Sequence, residues 1–193
     1  MVDSLKEVIK SCIKDEIDIN ALATFDLEYI FTQIRAKSVG EVVELTLHCD
    51  VCPAEDEKAV AKVSIDLTKI EVSKNPDHVL KIPLFDDVGV VMKYPTVNVV
   101  NKLESVNSSN IEQVFEIVVS CIDYIYNTDE VFHSKEQSKQ ELLDFLNNLT
   151  AEQFGKVQKF FDTMPKLSHA IEYKCPVCGK EHKKILEGLN SFF

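Results

Sequence analysis

The chain has 193 residues, 45% of them hydrophobic and 27% charged, with 32 acidic against 21 basic side chains and a formal net charge of −11. This length fits one domain, or one domain with an elaborate insertion, and the apolar content is sufficient for a packed core. The acidic excess argues against nucleic-acid binding as the main role, because that binding requires lysine and arginine to neutralise phosphates. No apolar run approaches the roughly 20 residues of a membrane span, and we expect no secretory signal at the start.

Two helices are predicted in the first 40 residues. Apolar side chains recur at helical spacing in the first helix, at Leu5, Val8, Ile9, Cys12 and Ile13. A second apolar stripe covers residues 27–34, and Gly40 is placed to end that helix. Cys12, and later Cys121, lie in apolar helical patterns, and we expect both to be small core residues.

The pattern then changes to the alternation of strands. Apolar and polar residues alternate over residues 43–48 and lead directly into the motif Cys49-Asp50-Val51-Cys52. A polar turn and a second strand over residues 60–67 follow, which places this cysteine pair at the tip of a hairpin. Further strands are predicted at residues 70–72, 79–82 and 88–92. Asp86-Asp87 is a turn signal between the last two.

Residues 95–165 are predicted to be mainly helical. Three capping boxes, each a Ser or Thr followed three residues later by Glu or Gln, precede apolar runs in this segment. They begin at Ser109, Ser134 and Thr150. The longest loop predicted within the segment covers residues 126–133.

Strand-like sequence returns on either side of a second motif, Cys175-Pro176-Val177-Cys178. This pair is therefore also predicted at a hairpin tip, and Gly179 relieves the backbone as it leaves the turn. Two strand-flanked Cys-x-x-Cys pairs are typical of a zinc ribbon. Four thiolates complete a tetrahedral structural zinc site and leave no coordination position for catalysis.

The separation of the two pairs is unusual for a zinc ribbon. Cys52 and Cys175 are 123 positions apart, against roughly 15–20 residues in the usual motif. One shared site therefore requires a large, mostly helical insertion. The alternatives are a mixed site that includes His48 or His182, a redox dithiol, and two unrelated pairs of reduced cysteines. We predict one structural zinc per chain, held by Cys49, Cys52, Cys175 and Cys178.

The sequence motifs of common enzymes are absent. There is no nucleophile elbow, no glycine-rich phosphate loop and no H-E-x-x-H motif, and the chain contains only 5 glycines. His78, His133 and His169 are isolated in the sequence, and we expect them on the surface or at helix caps. We therefore expect neither a catalytic site nor a small-molecule substrate.

Several long motifs resemble a known family. The stretches FDLEYIF (25–31), RAKSVGE (35–41), FFDTMPKL (160–167) and LEGLNSFF (186–193) are similar to a baseplate protein family of T-even-like tailed bacteriophages. The resemblance covers nearly the whole chain in the same order and includes the paired Cys-x-x-Cys motifs. It implies a non-enzymatic component or assembly factor of a contractile-tail baseplate hub. Such a protein would bind other phage baseplate hub proteins in the cytoplasm of the infected bacterium, and its residence in the finished virion stays open.

Together these patterns predict an α+β fold with a small antiparallel zinc-ribbon-like sheet and N-terminal helices. A large helical insertion is predicted between the two Cys-x-x-Cys turns, or zinc knuckles. The expected segments of this one compact unit are 1–40 (helices), 41–94 (first half of the β region), 95–168 (helical insertion) and 169–193 (second knuckle and tail). The alternative function is a zinc-ribbon nucleic-acid or transcription adaptor. It is favoured by the basic cluster Lys174, Lys180, Lys183 and Lys184.

Two further features leave alternatives open. Arg35 and Lys37 are basic residues on an acidic chain, and they either complement the dipole at a helix end or form an interaction surface. Phe192 and Phe193 either dock a partner or fold back onto the core.

Overall fold

The computed structural model describes residues 2–53, 55–99 and 111–193. The helices are α1 Val2–Cys12, α2 Thr24–Ser38, α3 Ile111–Ser120, α4 Lys139–Asn147 and α5 Ala151–Thr163. The strands are β1 Val42–His48, β2 Val60–Asp66, β3 Glu71–Ser73, β4 Lys81–Phe85, β5 Val88–Met92, β6 Ile122–Tyr126, β7 Val131–His133, β8 Lys166–Lys174 and β9 Glu181–Glu187. No helix in the described ranges is long and apolar enough to cross a membrane.

The strands form small antiparallel sheets. One sheet contains β1 and β2, a second has the order β3-β8-β9, and a third has the order β4-β5-β6-β7. The predicted α+β class, with N-terminal helices and small antiparallel sheets, is therefore confirmed.

The chain divides into two compact units, each made of several segments. The first contains Met1–Asp3, Ile17–Thr24 and Lys74–Pro165, and the second contains Ser4–Glu16, Phe25–Ser73 and Lys166–Phe193. The four-stranded sheet and α3 to α5 belong to the first unit. The other two sheets, with nearly all of α1 and α2, belong to the second.

A hydrophobic core forms in the first unit between the four-stranded sheet and the helices. Its buried members are Ile82, Leu84, Val90, Met92, Val118, Val119, Cys121, Ile122, Leu142, Leu146, Val157 and Phe160. Gly89 allows the strands to approach closely. A Cβ at this position would collide with the Tyr126 ring and lie 2.7 Å from the Ile82 carbonyl oxygen, so a larger residue would force the strands apart.

Within residues 95–165, the prediction of a helix is wrong for residues 122–125, which form most of β6, and the loop predicted at residues 126–133 contains β7. The helix α3 ends at Ser120, and the chain then forms β6 and β7, which pair from Tyr124↔His133 to Tyr126↔Val131. The apolar run that starts at Val114 continues into β6 without a break, and such a run does not separate a helix from a buried strand by its period. Residues 95–165 therefore contain two strands as well as helices.

The three predicted capping boxes have different outcomes. The box at Thr150 is confirmed, because its Oγ accepts the Gln153 N–H at 3.3 Å. The box predicted at Ser134 is four residues too early, since Ser138 caps α4 and its Oγ accepts the Glu141 N–H at 3.2 Å. The box at Ser109 begins outside the described residues.

Both cysteine pairs lie at hairpin tips in the second unit, as predicted. In the first hairpin the register runs from Val42↔Asp66 to His48↔Val60, and the cysteine pair follows β1. In the second hairpin it runs from Ser168↔Glu187 to Lys174↔Glu181, and the other pair joins β8 to β9.

The final residues fold back onto α2 within the second unit. Phe192 is fully buried, and the Phe193 ring meets Phe31 edge to face with the centroids 6.0 Å apart. The Arg35 guanidinium lies 5.8 Å from the centre of the Phe193 ring and donates to the Gly40 carbonyl at 2.9 Å. Arg35 therefore completes the end of α2, and the terminal aromatics favour the fold-back alternative.

Two single-residue expectations need correction. Cys121 is buried as predicted, but Cys12 is exposed because it is the last residue of α1.

His78 was expected at the surface or at a cap. Its ring instead stacks on Tyr94 at 5.6 Å and packs against Phe160 at 5.1 Å. Thr163 bonds the Nδ1 atom of His78, and the Nε2 atom is buried without a hydrogen-bond partner.

Candidate metal centre

The first hairpin fixes its cysteine pair through backbone hydrogen bonds. The Cys49 N–H donates to the Ala59 carbonyl at 2.8 Å, and the Ala59 N–H donates to the Asp56 carbonyl at 2.9 Å. Ala59 is fully buried against Cys49 and Cys175. The His48 ring nitrogens face the carbonyl oxygens of Cys49 and Asp56, at 2.9 and 3.2 Å. His48 therefore anchors the loop and does not join the sulfurs.

The second hairpin presents its pair on a tighter turn. The Cys175 N–H donates to the Lys180 carbonyl at 2.9 Å, and the Gly179 N–H returns to the Cys175 carbonyl at 3.0 Å. Gly179 has a φ of 73°, in the left-handed region that glycine adopts without steric cost. The Val177 N–H points at the Cys175 sulfur from 3.4 Å. The predicted role of Gly179 is confirmed.

The structure brings the four predicted ligands together. The Sγ atoms of Cys49, Cys52, Cys175 and Cys178 all lie within 4.8 Å of one another. The Cys49–Cys178 sulfur distance is 3.7 Å, and the Cys52–Cys175 distance is 3.8 Å. A zinc ion at the centre of a tetrahedron, with Zn–S bonds of about 2.3 Å, requires sulfurs about 3.8 Å apart. The residues present therefore fit a tetrahedral metal ion, and each short distance joins one hairpin to the other.

The electrostatics of the cluster favour a bound cation. Backbone N–H groups of Cys178 and Val177 lower the pKa of the Cys175 thiol to about 6. Burial, and then hydrogen bonds with the neighbouring thiols, raise the pKa of Cys52 to about 12. Four thiolates in one small volume repel each other, so all four ionise together only when a cation balances their charge.

His182 lies beside the cluster without belonging to it. Its Nε2 atom is 3.2 Å from the Cys49 sulfur, which suits an N–H···S hydrogen bond across the two hairpins. Tyr173 stands directly opposite His182 in the β8–β9 register, and the two rings stack at 4.9 Å. The Tyr173 hydroxyl donates to the His48 carbonyl at 3.4 Å. The sequence indicated His182 only as an alternative ligand, and its supporting role follows from the strand register, which pairs it with Tyr173.

Comparison with known proteins identifies the family. A family model described as "T4 bacteriophage base plate protein" matches residues 1–193. The chain belongs to this family. Among its relatives, the "Baseplate hub assembly protein gp26" of Enterobacteria phage T4 is 24% identical over 190 residues, which are 98% of this chain and 82% of that protein. No solved structure matches the chain. The resemblance noted in the sequence is confirmed.

In this base plate protein the cysteine cluster has the chemistry of a structural site. Its four sulfurs come from two hairpins and would occupy every position of a tetrahedral ion. Such a site ties backbone segments together and leaves no place for substrate. The nucleic-acid alternative gains no support from the family or from the relative.

Proposed function

We propose that this base plate protein acts in assembly of the baseplate hub of a contractile phage tail, by associating with other hub proteins and without catalysing a reaction. The observation that carries the proposal is the match over the whole chain, together with a relative whose name gives hub assembly as its role. Association during assembly takes place in the host cytoplasm, where the hub proteins are made.

We further propose that one structural zinc ion joins the two hairpins in a zinc-ribbon-like arrangement. Cys49, Cys52, Cys175 and Cys178 would hold the ion, and it would supply rigidity and no reaction. The sulfur spacing supports zinc, since it matches the tetrahedron that Zn–S bonds require. In this proposal the metal keeps an interaction surface in shape.

The assembly role is tested by co-expressing the tagged chain with the hub proteins of the parent phage. We expect at least one hub protein to co-purify at a fixed stoichiometry. We also expect a phage that lacks the chain to produce incomplete hubs, and a plasmid copy to restore them. Normal tails without the chain, together with no co-purifying hub protein, would contradict the proposal.

A further inference from the structure

A cavity opens at one end of the four-stranded sheet of the first unit, between the sheet and α4. Its volume is about 350 Å³, near the small end of the roughly 300–1,000 Å³ that is typical of ligand pockets. Four aromatic side chains line it, namely Phe85 from β4, Tyr126 from β6, Phe132 from β7 and Phe145 from α4. Phe85 is 40% exposed, so the mouth of the cavity is open to solvent. The size and the lining suit a single large side chain.

Three of the four rings are free to contact a further group. The Lys81 Nζ atom lies 4.4 Å from the centre of the Tyr126 ring, so a cation already occupies one face of that ring. Phe85, Phe132 and Phe145 stack on no other ring and meet no cation within the described parts of the chain. Aromatic faces attract cations, because the ring quadrupole places negative charge there. These three rings could therefore surround a second cation.

Carboxylates surround the mouth of the cavity. The N–H and hydroxyl of Thr128 donate to one Asp87 carboxylate oxygen at 3.0 and 2.6 Å, which holds the β4–β5 and β6–β7 turns side by side. The segments that line the cavity contain six acidic residues and one basic residue, over 85–88, 125–132 and 137–145. The basic residue is Lys139, which bonds Glu116 at 2.6 Å. With Lys81 included, acidic side chains still predominate, so the charge around the cavity complements a cation.

Glu141 places one of these carboxylates in the wall of the cavity. Its Oε2 atom accepts the Ser138 N–H at 2.7 Å and the Ser138 hydroxyl at 2.8 Å. These hydrogen bonds lower the pKa of Glu141, so the carboxylate is ionised at neutral pH. No group in the described ranges bonds the Oε1 atom. A negative oxygen therefore remains for a ligand beside the aromatic rings.

We propose that this cavity receives an arginine side chain from a basic segment of a partner protein. The guanidinium plane would stack on the phenylalanine rings, while its N–H groups would donate to Glu141. Arginine suits the site better than lysine, because a planar guanidinium stacks on aromatic rings and is more weakly hydrated than an ammonium group. The proposal rests on the assembly role and names the chemistry of the partner.

A second copy of this chain is the alternative occupant, and its charge opposes binding. Each chain has a net charge of −11, so two copies repel one another at long range. Sedimentation of the chain alone distinguishes the two occupants. We expect no self-association that depends on Phe85. Self-association that Phe85→Leu abolishes would assign the cavity to a second copy and overturn the proposal.

The binding test is an NMR titration of the full chain with a blocked peptide, Gly-Ser-Arg-Ser-Gly. We expect saturable shifts of the ring resonances of Phe85 and Phe132. A peptide with citrulline in place of arginine has nearly the same shape without the charge, and it should bind about tenfold more weakly. Equal binding of the two peptides, or an arginine peptide that leaves both rings unshifted, would overturn the proposal.

Two variants test the ring and the carboxylate separately. Phe85→Leu removes an aromatic face but keeps an apolar side chain. Glu141→Gln removes the charge and preserves the cap at Ser138, since a capping box accepts either residue. We expect each variant to weaken binding of the arginine peptide about three- to tenfold. Full affinity in both variants would overturn the proposal.

Glu71→Gln is the matched control for charge. Glu71 is exposed in β3 and does not line the cavity, so this variant should bind the peptide as the wild-type protein does. Equal weakening by Glu71→Gln and Glu141→Gln would show that only the net charge attracts the peptide, which would overturn the proposal.

Hub co-purification separates the cavity from the assembly role. We expect the double variant Phe85→Leu, Glu141→Gln to lose hub co-purification as well as peptide binding, with wild-type zinc content showing that the second unit is intact. Undiminished hub co-purification by the double variant would overturn the cavity proposal and leave the assembly role standing. Peptide binding by the wild-type protein without any hub association would contradict the assembly role alone.

Discussion

The core of the first unit and the cysteine end of the second hold their strands together by different means. In the first unit, side chains such as Ile82, Ile122 and Phe160 are buried in a continuous apolar cluster. Among the described residues of the cysteine end, the buried cluster consists of Cys49, Ala59 and Cys175, with Cys52 packed against it. So small an apolar cluster gives little hydrophobic stabilisation. Where the chain has turns instead of apolar faces, bonds to a shared ion can replace packing.

Of the substitutions considered, Cys175→Ser should have the largest effect on stability. It removes a proposed zinc ligand from the part of the second unit where apolar packing is weakest. We expect about one zinc per chain in the wild-type protein and a loss of bound zinc in the variant. Structural zinc in small domains contributes on the order of 10 kcal/mol, so the second unit should lose several kcal/mol of stability. Elemental analysis and chemical unfolding provide the measurements.

Cys12→Ser is the matched control and should keep its zinc, since Cys12 is exposed and outside the cluster. The zinc site would be refuted if wild-type protein, purified without chelator, contained no metal and the Cys175→Ser variant melted at the same temperature.

Phe160→Ala tests the packed region in the same way. The side chain is 2% exposed, so its removal should leave a cavity and cost about 3–5 kcal/mol. Hydrogen exchange should report this loss at the amides of β4 to β6 and α5. Zinc content should stay at the wild-type value. Loss of zinc in this variant would contradict the comparison, because it would show that metal binding at the cysteine end depends on the apolar core of the first unit.

His182→Phe tests whether the hydrogen bond from His182 to the Cys49 sulfur supports metal binding. The phenyl ring keeps the stacking on Tyr173 but cannot donate to the Cys49 sulfur. Loss of such a supporting hydrogen bond typically weakens metal affinity 10–100-fold, and competition with a chromophoric chelator measures it. His182→Gln retains a donor and should recover part of the affinity. Equal zinc affinity in the wild-type and phenylalanine proteins would remove His182 from the site.

The smallest expected effect is the pH dependence of the first unit. Burial lowers the pKa of His78 from its usual value of 6.5. As the pH falls below 6.5, the unfolded chain binds a proton that the folded unit disfavours, so the free energy of unfolding should decrease. Above that pH the contribution disappears, because the ring is neutral in both states. Urea unfolding at several pH values measures the slope, and His78→Phe should flatten it. An identical slope in that variant would assign the effect to other groups.

The hairpins were predictable from the sequence, but the β6–β7 pair was not. Alternating residues before Cys49 and around the second cysteine pair gave strands that the structure confirms. The apolar run from Val114 into β6 lacks that alternation, and its strand depends on pairing with β5. The cap of α4 was misplaced because Ser134 and Ser138 both fit the capping pattern in the sequence, whereas the structure uses Ser138.

The cysteine cluster could be predicted only in part from the sequence. The two Cys-x-x-Cys motifs identified the four sulfurs, and their residue type indicated zinc. Their convergence depends on hairpins that are distant in sequence, so spacing alone could not decide between one shared site and two separate pairs. The Tyr173↔His182 pair became apparent only when the register was known.

The short sulfur distances between the hairpins have a consequence for the topology of the chain. If an ion joins Cys52 to Cys175, which are 123 positions apart in the sequence, the segment between them becomes a closed ring. Closing a ring of that size removes conformational freedom from the unfolded chain, on the order of 4–5 kcal/mol in loop-entropy models. A protease cut inside the ring would then yield two fragments that stay together until a chelator releases them. With the ion bound, the cluster would hold the two fragments together although the backbone between them is cut.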